Sequence, residues 1–350
     1  MTTSLVTGGS GFIASHVIAH LLAAGEQVHA SVRDLRRQDK LAPLLALQAQ
    51  YPGMLRLFEA DLLKPGSFDA AMAGCEVVHH VASPFLMPEK IRDGRSQMLE
   101  PALSGTRNVL DSVNRCPSVR RVVMTSTVGA IFGDYSDVLA MEDQVLSERY
   151  FNESSTVDYN PYHYSKVQAE KLAWAMCAEQ SRWDLVCINP GLVLGPSLST
   201  ASDSGSLFLL DEILGGKLFF GVPDISVATV DVREVAAAHL AAAHNPAAHG
   251  RYIVAEREMA HFLDIARICR EYHRRPWLLP RTRIPGWLLR LLGPLFGLSR
   301  KYQDNHVGIR FQVDNRRGIE ELGIHYRPLR ETLADHYRSW QAARDAAAKS

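Results

Sequence analysis

Short apolar runs and amphipathic runs follow each other from the first residues of the chain. Leu5-Val6 closes an apolar run that reads as a short buried strand, and Phe12 to Ala24 follows with helical character. Gln27 to Val32 alternates polar with apolar positions and predicts a second strand. Met54 to Phe58, Val77 to Val81 and Val119 to Met124 predict a third, fourth and fifth strand, with a helix over Ser96 to Asn114 before the fifth. Asp184 to Asn189 predicts a further strand that Pro190-Gly191 stops, and Gly195 to Gly205 reads as a loop. Val227 to Val232 returns to strand character, and the alanine-rich Val235 to Ala243 is helical. Strand and helix alternating in this way predict an α/β fold: a doubly wound, mostly parallel sheet with helices on both faces. From Ala260 onward helices alternate with proline-bounded turns, which suits a smaller C-terminal lobe.

The first strand and first helix are joined by Val6-Thr7-Gly8-Gly9-Ser10-Gly11-Phe12-Ile13-Ala14. The spacing Gly9-x-Gly11-x-x-Ala14 fits the dinucleotide fingerprint of a Rossmann fold, with alanine in the third small position. Gly8 and Gly9 suit a turn that a Cβ would obstruct. Gly11 lets the backbone approach a pyrophosphate, and Ala14 lets the helix pack closely on the strand. N–H groups at the helix start favour phosphate charge. The second strand ends at Arg33-Asp34, with Arg36, Arg37 and Lys40 beyond it. An acid there would accept a ribose 2′-hydroxyl and imply NAD; a base first, with more bases following, suits the 2′-phosphate of NADP. Asp61 and Leu62, after the third strand, are placed to meet an adenine ring. The expected division is a cofactor domain over 1–190, with the elements around 226–255 returning to it, and a substrate lobe over most of 191–350.

Bulk composition narrows the class. The chain has 350 residues, 47% of them hydrophobic, enough for a large core in one elaborated domain or two. Its 38 basic and 38 acidic residues balance, which argues against a general nucleic-acid or membrane-surface binder. Cys75, Cys116, Cys177, Cys187 and Cys269 lack metal-site or redox spacing, so no metal is expected and a reducing compartment is. No charged leader with an apolar signal segment opens the chain, and Ile284 to Leu298 is too short and too interrupted to span a bilayer. The expected protein is cytoplasmic, a monomer or homodimer, without membrane insertion.

Candidate chemistry lies in two places. Tyr162 and Lys166 are four apart in a helical run, hence on one face. A phenol near its ordinary pKa of ~10 is a poor acid–base group at neutral pH, and a neighbouring ammonium should lower it. Tyr164 has Gln168, not lysine, at the fourth position and is the weaker candidate. Thr125-Ser126-Thr127 ends the fifth strand, where ligands of an open parallel sheet bind, and a hydroxyl there can polarise a carbonyl. His79 and His80 sit in an apolar strand and read as packed core residues.

Taken together, the glycine turn, Thr125-Ser126-Thr127 and Tyr162-x-x-x-Lys166 resemble the extended short-chain dehydrogenase/reductase superfamily. Narrower matches resemble its dihydroflavonol 4-reductase and cinnamoyl-CoA reductase group, which includes microbial aldehyde and ketone reductases. They are Val32-Arg33-Asp34, His80-Val81-Ala82-Ser83-Pro84, Val123-Met124-Thr125-Ser126-Thr127, Asn189 to Pro196, Asp231 to Ala236 and Gly250-Arg251-Tyr252. The resemblance implies that Thr7 to Ile13, Arg33, Lys40, Asp61, Leu62, Val81, Ala82, Ser83, Thr125, Tyr162, Lys166, Pro190, Gly191 and Val193 hold NADP(H). It places Phe85, Thr127, Tyr162 and the 131–160 insertion around a small carbonyl or alcohol substrate. The group's catalytic hydroxyl is a serine; here Thr127 holds that position, 35 residues before Tyr162, with Ser126 as the alternative. The expected activity is reversible, NADPH-dependent reduction of a ketone or aldehyde, with Tyr162 as proton donor. Three other readings stay open: a nucleotide-sugar epimerase or dehydratase with bound NAD, a 3β-hydroxysteroid dehydrogenase-like enzyme, and a dinucleotide sensor without turnover.

Overall fold

The computed structural model describes residues 2–84, 86, 90–199 and 205–348. Its centre is a seven-stranded sheet built from β1 (Thr3–Val6), β2 (Gln27–Val32), β3 (Leu55–Glu59), β4 (Val77–His80), β5 (Arg121–Thr125) and the strands Asp184–Pro190 and Gly250–Val254. The order across the sheet is Gly250–Val254, Asp184–Pro190, β5, β4, β1, β2, β3, and every pairing is parallel. The order reverses at β1, which pairs with β2 on one side and β4 on the other, and this opens a crevice beyond the strands' carboxyl ends.

The middle strands are apolar because helices cover both faces. All five residues of β5 are buried, Arg121 included. Arg121 sits at the amino end of its strand, where its guanidinium meets Asp184 across the register at 2.7 Å and donates to Ala242 O at 2.7 Å. The second contact lies at the carboxyl end of helix Val232–His244, where backbone carbonyls concentrate negative potential. Helix α1 (Phe12–Ala23) is apolar around most of its surface, since it is packed between the sheet and Val232–His244.

Most predicted strands match within a residue or two. Two segments differ. Ser96 to Asn114 starts with a π-helical turn, Arg95–Leu99, and continues as the α-helix Glu100–Arg115, with Pro101 at the junction of the two. Val227 to Val232 splits into Ser226–Val227, antiparallel to Ala260–His261, and Thr229–Asp231, parallel to Leu192–Leu194. Beyond residue 260, helices Phe262–Tyr272, Gly286–Leu292, Arg300–His306 and Leu329–Ala347 stack outside the sheet. Among the described residues, no helix is long and apolar enough to cross a membrane.

Candidate active site

A cleft of about 1650 Å³ runs along the carboxyl ends of the strands. Its floor is the glycine turn. Gly8 has a φ of +70°, and a Cβ there would lie 3.0 Å from that of Ala82. Gly11 immediately precedes α1, donates to Gly8 O at 2.8 Å, and has no side chain to fill the space above the turn. The start of α1 has neither a side-chain cap nor an acidic residue in its first turn, so its N–H groups face the cleft with their positive potential uncompensated. Ser10, Phe12 and Ile13 line the same floor.

Gly9 and Thr7 work one layer below. Gly9 donates to Ser31 O at 2.7 Å, and a Cβ on it would meet Ala30 and Ile18 at 3.1 Å, so it sets the spacing of helix on sheet. Thr7 Oγ1 accepts from the N–H groups of Val81 and Ala82, both at 3.0 Å, and ties β1 to the exit of β4. Asp61 also lies off the cleft wall, its carboxylate accepting the Leu63 N–H at 2.9 Å. Leu62, Val81, Ala82 and Ser83 do line it. Phe85 lies outside the described residues.

Beyond β2 the charges sort themselves. Asp34 is clamped by Arg36, with Nε and Nη2 contacts of 2.9 and 3.0 Å, and Arg37 turns to Asp39 at 2.8 Å. Arg33 is exposed on the cleft wall and has no ion pair among the described residues; Lys40 lines the wall beside it. The acid that favoured NAD is therefore already paired, and a cation stands open to a phosphate.

On the other side, helix Pro161–Ala178 carries the tyrosine and lysine. Asn160, in the left-handed region with a φ of 58°, caps it by accepting the His163 N–H, and Pro161 fills its first position. Tyr162 therefore projects from the first turn into the cleft, one turn before Lys166. Lys166 Nζ donates to Thr125 O at 3.0 Å, joining the helix to the end of β5. Burial lowers the Lys166 ammonium to about 8, against an opposing pull from Glu170. Burial pushes the Tyr162 phenol up to about 12, the reverse of the expected lowering, because desolvation of the phenolate dominates at this depth. Tyr164, on the same helix, does not reach the cleft.

The two strand-end hydroxyls point different ways, as successive residues of extended chain must. Thr127 lines the cleft, and its Oγ1 accepts from Gly129 N at 3.1 Å, which leaves its proton to donate. Ser126 also borders the cleft, but its hydroxyl turns inward and donates to the Glu170 carboxylate. Glu170, one further turn along the helix from Lys166, is fully buried. It also accepts from Asn189 Nδ2 at 3.1 Å, and Asn189 Nδ2 reaches Thr127 O at 3.0 Å as well. This network escaped the sequence reading, although the step of four from Lys166 to Glu170 could have shown it. Pro190, Gly191 and Val193 complete this side of the cleft.

Farther out, the insertion and the last lobe build an aromatic wall. Phe132 lies 5.7 Å from Tyr135 and 5.5 Å from Phe311, ring centre to ring centre. Tyr302 stacks on His306 at 4.0 Å. His79 and His80 are buried in β4, as expected of core residues: His79 faces His239 at 3.3 Å and His80 faces Thr7 at 3.2 Å. No cluster of three or more metal-binding side chains occurs among the described residues.

A parallel sheet that reverses at a glycine turn, with an uncapped helix start over the crevice, defines a dinucleotide-binding fold of Rossmann type. Residues 4–255 match the model of the NAD dependent epimerase/dehydratase family, and the chain belongs to that family. It is 33% identical over 336 residues to cinnamoyl-CoA reductase CAD2 of Medicago truncatula, covering 95% of this chain and 94% of the relative. It is 34% identical over 279 residues to an anthocyanidin reductase of Vitis vinifera, covering 75% of this chain and 80% of the relative. Among solved structures it resembles a yeast methylglyoxal/isovaleraldehyde reductase, Gre2, complexed with NADPH, with a TM-score of 0.79 and 26% identity over 98% of this chain and 99% of that one. These relatives bear out the resemblance to the extended short-chain dehydrogenase/reductases and to their reductase group.

Proposed function

We propose that the protein is an NADPH-dependent reductase of ketones or aldehydes, working reversibly as an alcohol dehydrogenase. The observation that carries this reading is the convergence of Tyr162, Lys166 and Thr127 on one cleft whose floor is the glycine turn. The residues fit the cofactor: Gly8, Gly11 and the bare start of α1 suit the pyrophosphate, and Arg33 with Lys40 suits the 2′-phosphate. When bound, NADPH supplies the hydride.

The protein's own part is orientation and proton transfer. Thr127 donates a hydrogen bond to the carbonyl oxygen and polarises it. Tyr162 delivers the proton to that oxygen; a phenol raised by burial is fully protonated at neutral pH and ready to give it. Lys166 holds the nicotinamide ribose and offsets the negative charge left on the tyrosine. Pro190, Gly191 and Val193 would back the nicotinamide, and the 131–160 insertion together with the lobe beyond residue 191 would supply the wall that chooses the substrate, with Phe132, Tyr135, Tyr302 and Phe311 lining the cleft.

The test is oxidation of NADPH over a panel of aliphatic and aromatic ketones and aldehydes. Turnover with at least one of them, and slower turnover with NADH, is expected. Absence of turnover, together with tightly held NAD in the purified protein, would point instead to an epimerase.

A further inference from the structure

The balanced charge of the chain conceals a strong segregation. Between Glu271 and Asp304 there are seven basic residues and no acidic one: Arg274, Arg275, Arg281, Arg283, Arg290, Arg300 and Lys301. Three have acidic partners from elsewhere, Arg274 with Asp345, Arg283 with Asp224 and Arg290 with Asp304. Arg275, Arg281, Arg300 and Lys301 have none among the described residues, so the excess stays positive.

The same segment exposes large apolar side chains. Trp277 is 64% exposed, Trp287 70%, Leu291 66% and Leu295 79%. On helix Gly286–Leu292 the spacing puts Trp287, Arg290 and Leu291 on one outward face, with Leu289 buried on the opposite one. Two exposed phenylalanines, Phe219 and Phe220, join them. Their turn is fastened to residues 282–284 by Val222 N donating to Thr282 O at 3.1 Å and Ile284 N donating to Val222 O at 2.9 Å. None of these rings belongs to a buried core cluster, and a group of exposed apolar side chains of this kind on a protein surface marks an interaction site.

We propose that this face docks the enzyme on an anionic lipid bilayer. Exposed tryptophan and leucine flanked by arginine match the chemistry of the headgroup region, where rings sit at the acyl boundary and cations meet phosphates. A second copy of the chain is a poorer occupant, because a two-fold axis through the face would bring its cations against their own copies. Gly297, Leu298 and Ser299, just beyond Leu295, line the mouth of the cleft. Docking therefore puts the mouth at headgroup level, where a lipophilic carbonyl compound can enter from the membrane; this clause alone rests on the reductase reading.

Sedimentation of the whole protein with two kinds of vesicle tests the proposal. One kind is pure phosphatidylcholine; the other has a quarter of its lipid replaced by phosphatidylglycerol. The anionic vesicles should capture at least about tenfold more protein at low salt, and high salt should release most of it. Trp287→Ser with Leu291→Ser, and separately Arg281→Ser, should weaken capture while NADPH turnover of a water-soluble aldehyde is unchanged. Wild-type protein that ignores both vesicles, or binds both equally, overturns the proposal. So does a dimer in sedimentation equilibrium that Trp287→Ser converts to a monomer, since the face is then a self-interface. Capture needs no catalysis, so vesicle binding without turnover would remove the reductase reading and leave the docking in place.

Discussion

Glu170 Oε1 stands 2.6 Å from Arg251 Nε, and both side chains are closed off from water. The pair sits behind the proposed reacting groups: Glu170 receives the Ser126 hydroxyl and shares Asn189 with the backbone of Thr127. Glu170 also holds the Lys166 ammonium up against burial. Glu170→Gln should therefore move the alkaline decline of kcat/KM for reduction, set by Lys166 near 8, to lower pH by about one unit. An unmoved pH profile would reduce Glu170 to a purely structural role. Arg251→Met removes the guanidinium of this buried pair and should destabilise the fold by about 3–5 kcal/mol in chemical denaturation.

Arg33 should decide between the two nicotinamide cofactors. A charge-assisted contact to the 2′-phosphate contributes on the order of 1–3 kcal/mol, so Arg33→Ala should raise the KM for NADPH by roughly tenfold or more and leave that for NADH nearly unchanged. Steady-state kinetics with both cofactors checks this. A wild-type preference for NADH would contradict the reading of the β2 terminus.

Thr127 and Ser126 should separate in kind. Thr127→Val keeps the shape and removes the donor, so kcat should fall about 10²-fold or more. Ser126→Ala removes a partner of a buried carboxylate, so its main effect should be on stability, about 1–3 kcal/mol, with a smaller loss of turnover. The opposite order in a paired measurement of kcat and unfolding free energy would give the donor role to Ser126.

Much of this was legible in the sequence. The β1–turn–α1 unit, the Tyr162–Lys166 spacing and the parallel sheet follow from local periodicity and small residues, which act over a few positions. The direction of the Ser126 hydroxyl was not legible, because it depends on Glu170 and Arg251 arriving from other elements. Nor was the aromatic wall, in which Phe132 meets Phe311 across a large separation in the chain. The pKa of Tyr162 went the other way for a related reason: spacing reveals the lysine, while depth of burial is a property of the finished fold.

Acid should unfold the protein through its buried histidines. Burial lowers His16, His163 and His336 to about 4, below the ordinary 6.5. The folded state thus binds fewer protons than the unfolded chain between those values, and folding stability rises with pH across that interval. The contribution is fully present above about 6.5 and declines as pH falls towards 4. Thermal unfolding followed from pH 7 to 4 should show a steady fall in Tm, and His336→Gln, which lies outside the cleft, should make it shallower. A Tm that stays level over this range would contradict the assignment.

The most direct test of the reductase reading is Tyr162→Phe. This change removes one oxygen and leaves the ring, Lys166 and the glycine turn in place. If Tyr162 donates the proton, kcat for carbonyl reduction should drop by ~10²–10⁴-fold, the range of a general acid. NADPH affinity, measured by fluorescence titration, should change little, because the change leaves the glycine turn, Arg33 and Lys40, proposed to hold the phosphates, untouched. Tyr164→Phe, on the same helix but off the cleft, should turn over normally. A Tyr162→Phe enzyme that reduces its substrate at the wild-type rate would contradict the proposed mechanism.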